Sequence, residues 1–151
     1  MENPRLDPVS AQRMATYVGL SLALGVTFYG GVSWYIHQNA EGPPTTDPDF
    51  ARLLTYAWVA FTTVTIFTAA FFWRTRVDPM INGSQSMPRE RMPQLTANLL
   101  ICWALIESGC LFGVTIYFLT GIIWAAAISV VLMWVAFLAT RPQPEWYERF
   151  R

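Results

Sequence analysis

Glu107 stands alone. From Arg91 to Arg141 run 49 intervening residues, and Glu107 is the one charged side chain among them. A carboxyl in so apolar a stretch has three chemical uses. It can hold a proton or a cation, it can meet a cationic group on another chain, or it can stay neutral and hydrogen-bond neighbouring helices. Placing an acid at mid-membrane depth costs at least about 2.5 kcal/mol on insertion scales, so its presence asks for a reason. The chain has no lysine, and none of its ten basic residues, all arginine, falls inside an apolar stretch, so it offers no salt-bridge partner at that depth. Matching depths instead selects Thr27, Thr62, Thr63 and Ser129 as hydrogen-bond partners, and these with Glu107 form the expected ion-binding set.

The other reactive residues say less. His37 follows Trp34-Tyr35-Ile36. A histidine beside aromatics can ligate haem or a pigment, although a single histidine cannot supply both axial ligands. The plain alternative is a polar residue at the membrane interface. Cys102 and Cys110 are eight residues apart, about 12 Å of helical rise, which is too far to bridge. They read as small apolar packing residues. No phosphate-binding loop, nucleophile elbow, zinc-protease motif or dinucleotide fingerprint is present. An enzyme with its chemistry wholly on this chain is not expected.

What must position Glu107 is a set of membrane helices. Only 13% of the 151 residues are charged, about half the usual share for a soluble domain. Four apolar spans are legible: about 14–36, 53–73, 95–119 and 122–140. Each approaches the roughly 20 residues that cross a hydrocarbon core, and each must be helical to satisfy its own backbone there. The expected fold is all-α: a single transmembrane domain of four antiparallel helices. Balanced charge without a basic face excludes a nucleic-acid binder.

Arginine placement predicts the orientation. Arg5 and Arg13 precede the first span, Arg74, Arg76, Arg89 and Arg91 lie between the second and third, and Arg141, Arg149 and Arg151 follow the fourth. The loop His37–Arg52 holds only Arg52 against Glu41, Asp47 and Asp49, and carries Gly42-Pro43-Pro44. Both termini and the central loop are therefore expected on the cytoplasmic side of a bacterial inner membrane. Thr120-Gly121 forms a tight outer turn, and Asp78-Pro79 and Asn82-Gly83-Ser84 are turn signals. A short helix can begin in Ser86–Glu90, with Pro93 soon after. The aromatic tail 141–151 is expected on the inner membrane surface or against a partner.

Small residues point to close helix packing. Ala15, Gly19, Ala23, Thr27 and Gly31 recur every fourth residue in the first span, and Gly109 and Gly113 form a second pair in the third. At 100° per residue Gly109 lies about 200° around the helix from Glu107. One face of that span should pack closely on a helix while another carries the acid, which should be largely shielded from lipid.

The segment Arg91-Met92-Pro93-Gln94 followed by Ala104-Leu105-Ile106-Glu107-Ser108-Gly109-Cys110-Leu111-Phe112-Gly113 resembles the second half of the proteolipid c subunit of rotary ATP synthases. The resemblance implies an ion-carrying role for Glu107 and a polar-loop role for Arg91 and Pro93. It is confined to this segment: the second span has no glycine, unlike the family's inner helix, and no tandem hairpin is present. The leading expectation is a small non-catalytic subunit of a larger inner-membrane complex, in contact with lipid and with other membrane subunits or copies of itself. The alternatives are a proton- or cation-translocating c-like protein using Glu107, and a haem-, pigment- or quinone-binding subunit.

Overall fold

The computed structural model describes residues 7–39, 47–83, 88–148 and 150. The loop glycine and prolines 42–44, the stretch from Ser84 to Met87, and Arg5, Glu41, Arg149 and Arg151 lie outside the described residues. The described chain is all-helical, with α1 (Pro8–Asn39), α2 (Pro48–Phe72), α3 (Asp78–Asn82), α4 (Met92–Thr120), α5 (Ile123–Ala139) and α6 (Pro144–Glu148). Three helical stretches are long and apolar enough to cross a membrane: Pro8–Asn39, Pro48–Asn82 and Arg89–Thr120. α5 is apolar but shorter, at 17 residues, or about 26 Å of rise.

Local chemistry sets the ends. Asp47 caps α2 by accepting from the backbone N–H groups of Asp49 and Phe50, which satisfies otherwise orphaned donors. Beyond α2 the chain does not stop. A wide helical turn over Trp73–Val77 carries it into α3, with the Asp78 N–H donating to the Trp73 carbonyl five residues back. Pro79 is the cause: it has no N–H for the Thr75 carbonyl and its ring crowds that carbonyl, so the helix widens. This turn brings Val77, and α3 brings Met80 and Ile81, into the core. A short tight turn, Arg89–Arg91, leads into α4, where Pro93 sits in the first turn, a place that tolerates its missing donor. α4 ends at Gly121, whose φ of 72° is left-handed, the conformation that lets α5 fold straight back.

α4 is the hub. It packs against α1, α2 and α5, while α1 also packs on α5. α1 and α4 run parallel and in constant register. Gly19 faces Trp103, Gly30 faces Val114, and the Tyr29 hydroxyl meets the Thr115 hydroxyl at 3.3 Å. Hydroxyls on the outer face of α2 are satisfied within their own helix: Thr63 donates to the Val59 carbonyl and Thr68 to that of Val64. An apolar solvent can therefore cover them without an unmet donor.

The first turns of α1, the end of α2 and the stretch after α5 gather at one end. Gln12 donates to the Pro142 carbonyl at 3.3 Å, and Trp73 and Trp146 stack edge to face. The tail departs from expectation. Tyr147 and Phe150 are each 1% exposed, so they insert into the chain's own bundle instead of resting on a surface. The Tyr147 hydroxyl lies 3.3 Å from that of Thr96. Burial pushes the Tyr147 phenol up from the usual tyrosine range, and the Thr96 contact partly opposes this.

Candidate functional site

The small-residue stripe of α1 is used over part of its length. Ala15 and Ala23 are fully buried. A β-carbon on Gly19 would stand 2.7 Å from the Trp103 ring and 2.9 Å from Phe137, while Gly31 meets nothing within 4 Å. Thr27 is likewise exposed. The reason is angular drift: every fourth residue advances 40° around a helix, so the stripe rotates out of the contact after Ala23. Contact passes instead to Val26 and Ser33, both fully buried, one three-residue step back. Gly31 and Thr27 are thus not close-packing positions.

Gly109 and Gly113 do lie under neighbouring helices. Thr65 Oγ1 would be 2.9 Å from a Gly109 β-carbon, and Trp58 Nε1 2.6 Å from one on Gly113, where Ser129 Oγ also crowds. Trp58 donates its indole N–H to the Gly109 carbonyl at 3.1 Å, and Thr62 approaches the same oxygen at 3.4 Å. Ser129 is 1% exposed, and its hydroxyl has no hydrogen-bond partner among the described residues. This α2–α4–α5 junction went unforeseen in one respect: nothing in the spacing marked Trp58 as its anchor. Both cysteines are free and buried, and Cys102 donates its thiol towards the Ala69 carbonyl at 3.7 Å.

Glu107 occupies a different sector of α4. By helical angle it lies about 40° beyond Trp103 and about 20° beyond Val114. Those two are fully buried, whereas Glu107, Leu100 and Leu111 are half-buried and Ala104 is exposed. The acid therefore marks the edge of the buried arc, not its centre. The Tyr29–Thr115 contact identifies the adjoining wall, placing Leu22 and Gly25 of α1 on the same side at helical spacing. Gly25 has no atom within 4 Å of where its β-carbon would be. Gly25 is thus open at the surface, and Glu107 lies on the α4 side of this α1–α4 face.

None of the four depth-matched residues bonds to the acid. Thr62 and Ser129 belong to the junction on the far side of α4. Thr63 is exposed on α2. Thr27 donates to the Ala23 carbonyl and accepts from Trp134 Nε1 at 3.0 Å, on the α5 side of α1. Depth fixes height along the bundle but not direction around it, and all four point elsewhere. No described group hydrogen-bonds the Glu107 carboxyl, and burial of the acid within the chain is only partial.

His37 joins α1 to α4 at the far end of their contact. Its Nε2 lies 2.9 Å from the Tyr117 carbonyl and 3.0 Å from that of Phe118. It thus donates to carbonyls of the last turn of α4, sharing that of Tyr117 with the Gly121 N–H, and its ring rests 4.8 Å from that of Tyr117. This is a clip between α1 and α4. Among the described residues no three histidine, cysteine or acidic side chains cluster as a metal site.

No family model, curated protein or solved structure matches the chain.

Proposed function

We propose that this chain is a small, non-catalytic integral membrane subunit that docks onto a larger assembly through its α1–α4 face, with Glu107 as the polar contact. In this reading all four long helices cross a bacterial inner membrane. α5 does so with about 26 Å of helix, held by its packing on α4 and α1. The end bearing the termini carries Arg13, Arg74, Arg76, Arg89, Arg91 and Arg141, against Arg52 at the other, which supports an inner placement of the termini.

The observation that carries the proposal is the position of Glu107. A carboxyl serving only this chain's fold should be bonded within it, and no described group does so. A carboxyl lining an internal path should sit at the centre of the buried arc, and this one sits at the edge. Facing lipid alone, it carries an insertion cost with no return. A partner helix on this face, bringing a donor or a cation to mid-depth, would supply the missing bond and exclude lipid.

A second reading rests on the same half-open carboxyl. An acid without a fixed partner is free to exchange a proton or cation, as the resemblance to c subunits implies. Native mass spectrometry after gentle extraction separates the two. Discrete complexes with other membrane proteins, lost on Glu107→Leu, support docking. A ring-like homo-oligomer that still assembles as Glu107→Gln but loses carbodiimide labelling and ion transport supports translocation and sinks the docking role.

A further inference from the structure

At the end opposite Gln12 and Pro142, the first turns of α2 and the α4–α5 turn border a half-open pocket of about 310 Å³ lined by Pro48, Ala51, Arg52, Thr55, Tyr56, Ile122 and Trp124. Its chemistry is divided. The floor is apolar, formed by Pro48, Ala51 and Ile122, with Trp124 backed by Trp58 at a ring separation of 5.6 Å. The Thr55 hydroxyl is spent on the Ala51 carbonyl at 2.8 Å. Besides the Tyr56 hydroxyl, polar capacity lies at the mouth, where Arg52 Nη1 stands 3.5 Å from Asp49 Oδ1, with side chains 74% and 86% exposed. Asp47 is committed to capping α2. The mouth therefore offers one guanidinium with four unengaged N–H groups and one carboxylate beside it.

We infer that this pocket holds the headgroup and glycerol region of an aminophospholipid of the phosphatidylethanolamine type. The phosphate would sit on the Arg52 fork, which matches its geometry and charge. The ammonium would take the Asp49 carboxylate, and the acyl ends would leave over Ile122 and Trp124 along the apolar face of α2. Charge complementarity selects this class. Two acids precede the single arginine of this turn among the described residues, at three and five positions, so a headgroup with only negative charge meets repulsion. A choline headgroup carries no N–H to give Asp49. Tyr56 and Trp124, 72% and 46% exposed, are residue types that settle at the headgroup level. The site is remote from Glu107 and independent of how that acid is used.

Native mass spectrometry of the full chain, equilibrated with equal amounts of phosphatidylethanolamine, phosphatidylglycerol and phosphatidylcholine, tests the assignment. Retained phosphatidylethanolamine should exceed each of the others by about tenfold, the discrimination expected of one charge-assisted hydrogen bond. Arg52→Gln should abolish retention of all three. Asp49→Asn should keep retention but erase the preference for ethanolamine over choline. Both residues are exposed, so an unchanged melting temperature in each variant shows that folding is not the cause. Equal retention of the three lipids, a preference for phosphatidylglycerol, or a preference indifferent to both substitutions would overturn the proposal.

Discussion

The Trp58 indole nitrogen lies 3.1 Å from the Gly109 carbonyl oxygen, across the interface between α2 and α4. A helix carbonyl already has a partner four residues on, so this donor adds a second. It can do so because Gly109 and Gly113 present no side chain, and α2 comes near enough for an indole to reach backbone. In lipid, where apolar surfaces gain little from meeting each other, such close approach and interhelical hydrogen bonding are the main sources of helix association.

Gly113→Ala should therefore destabilise the protein markedly. The added methyl would meet Trp58 Nε1 at 2.6 Å and the Ser129 hydroxyl as well. Overpacking of this kind costs about 1–3 kcal/mol. Reversible unfolding in mixed detergent would measure it, with Gly31→Ala as the control expected to change almost nothing, since Gly31 meets no atom within 4 Å.

The sequence showed the helices because lipid leaves the backbone few options, and length and charge alone then mark the spans. It showed the Thr120-Gly121 turn because only a left-handed residue ends α4 so abruptly. Direction around a helix was less legible. Gly109 and Glu107 separate correctly into different sectors, since both lie on one helix and the angle between them is fixed. Thr62 and Ser129 were matched to Glu107 by depth, but their direction depends on how α2 and α5 roll against α4, which no single-helix period encodes. The burial of Tyr147 and Phe150 was hidden for a related reason: an alternating aromatic and charged tail suits a membrane surface and a bundle end equally well.

Gly19 and Trp103 form a pair whose coupling can be measured. Gly19→Ala would press a methyl to 2.7 Å from the Trp103 ring, and should cost about 1–3 kcal/mol. Trp103→Phe removes the bond from the indole N–H to Thr140 Oγ1, 2.7 Å long, but makes room. The double variant should be less destabilised than the sum of the singles, by about 0.5–3 kcal/mol. Additive losses in a double-mutant cycle would contradict the contact.

Tyr147 predicts an alkaline limit to stability. Its phenol is pushed up by burial, from about 10 in an unfolded chain. The folded state thus holds the proton more tightly. This contribution is fully present below pH 10 and is lost as the pH rises from there through the folded value. Melting temperatures measured from pH 8 upwards should fall more steeply in the native protein than in Tyr147→Phe. At neutral pH that variant should lose only about 1 kcal/mol, for the Thr96 contact.

His37 should prove structural. Removing its donor to the Tyr117 and Phe118 carbonyls should cost about 1 kcal/mol in His37→Ala, and hydrogen exchange should rise at the last turn of α4. If the purified protein instead carries visible absorbance that vanishes in the variant, His37 is a cofactor ligand.

Glu107 gives opposite predictions for stability and for assembly, and this separates a docking residue from a structural one. No described group hydrogen-bonds its carboxyl, and the side chain sits half-buried at the edge of the buried arc of α4. Replacing it with leucine removes the insertion cost of an acid without breaking an internal bond. Isolated Glu107→Leu should then be at least as stable as the native chain, by up to about 2.5 kcal/mol. The same variant should fail to co-purify with its partners, because the polar contact on the α1–α4 face is gone. Glu107→Gln should keep part of the association, since an amide still accepts and donates. A structural acid would behave the other way: Glu107→Leu would unfold more easily and lose its partners only in proportion to that loss. Unfolding of the isolated variants, set beside recovery of complexes from native membranes, decides between the two.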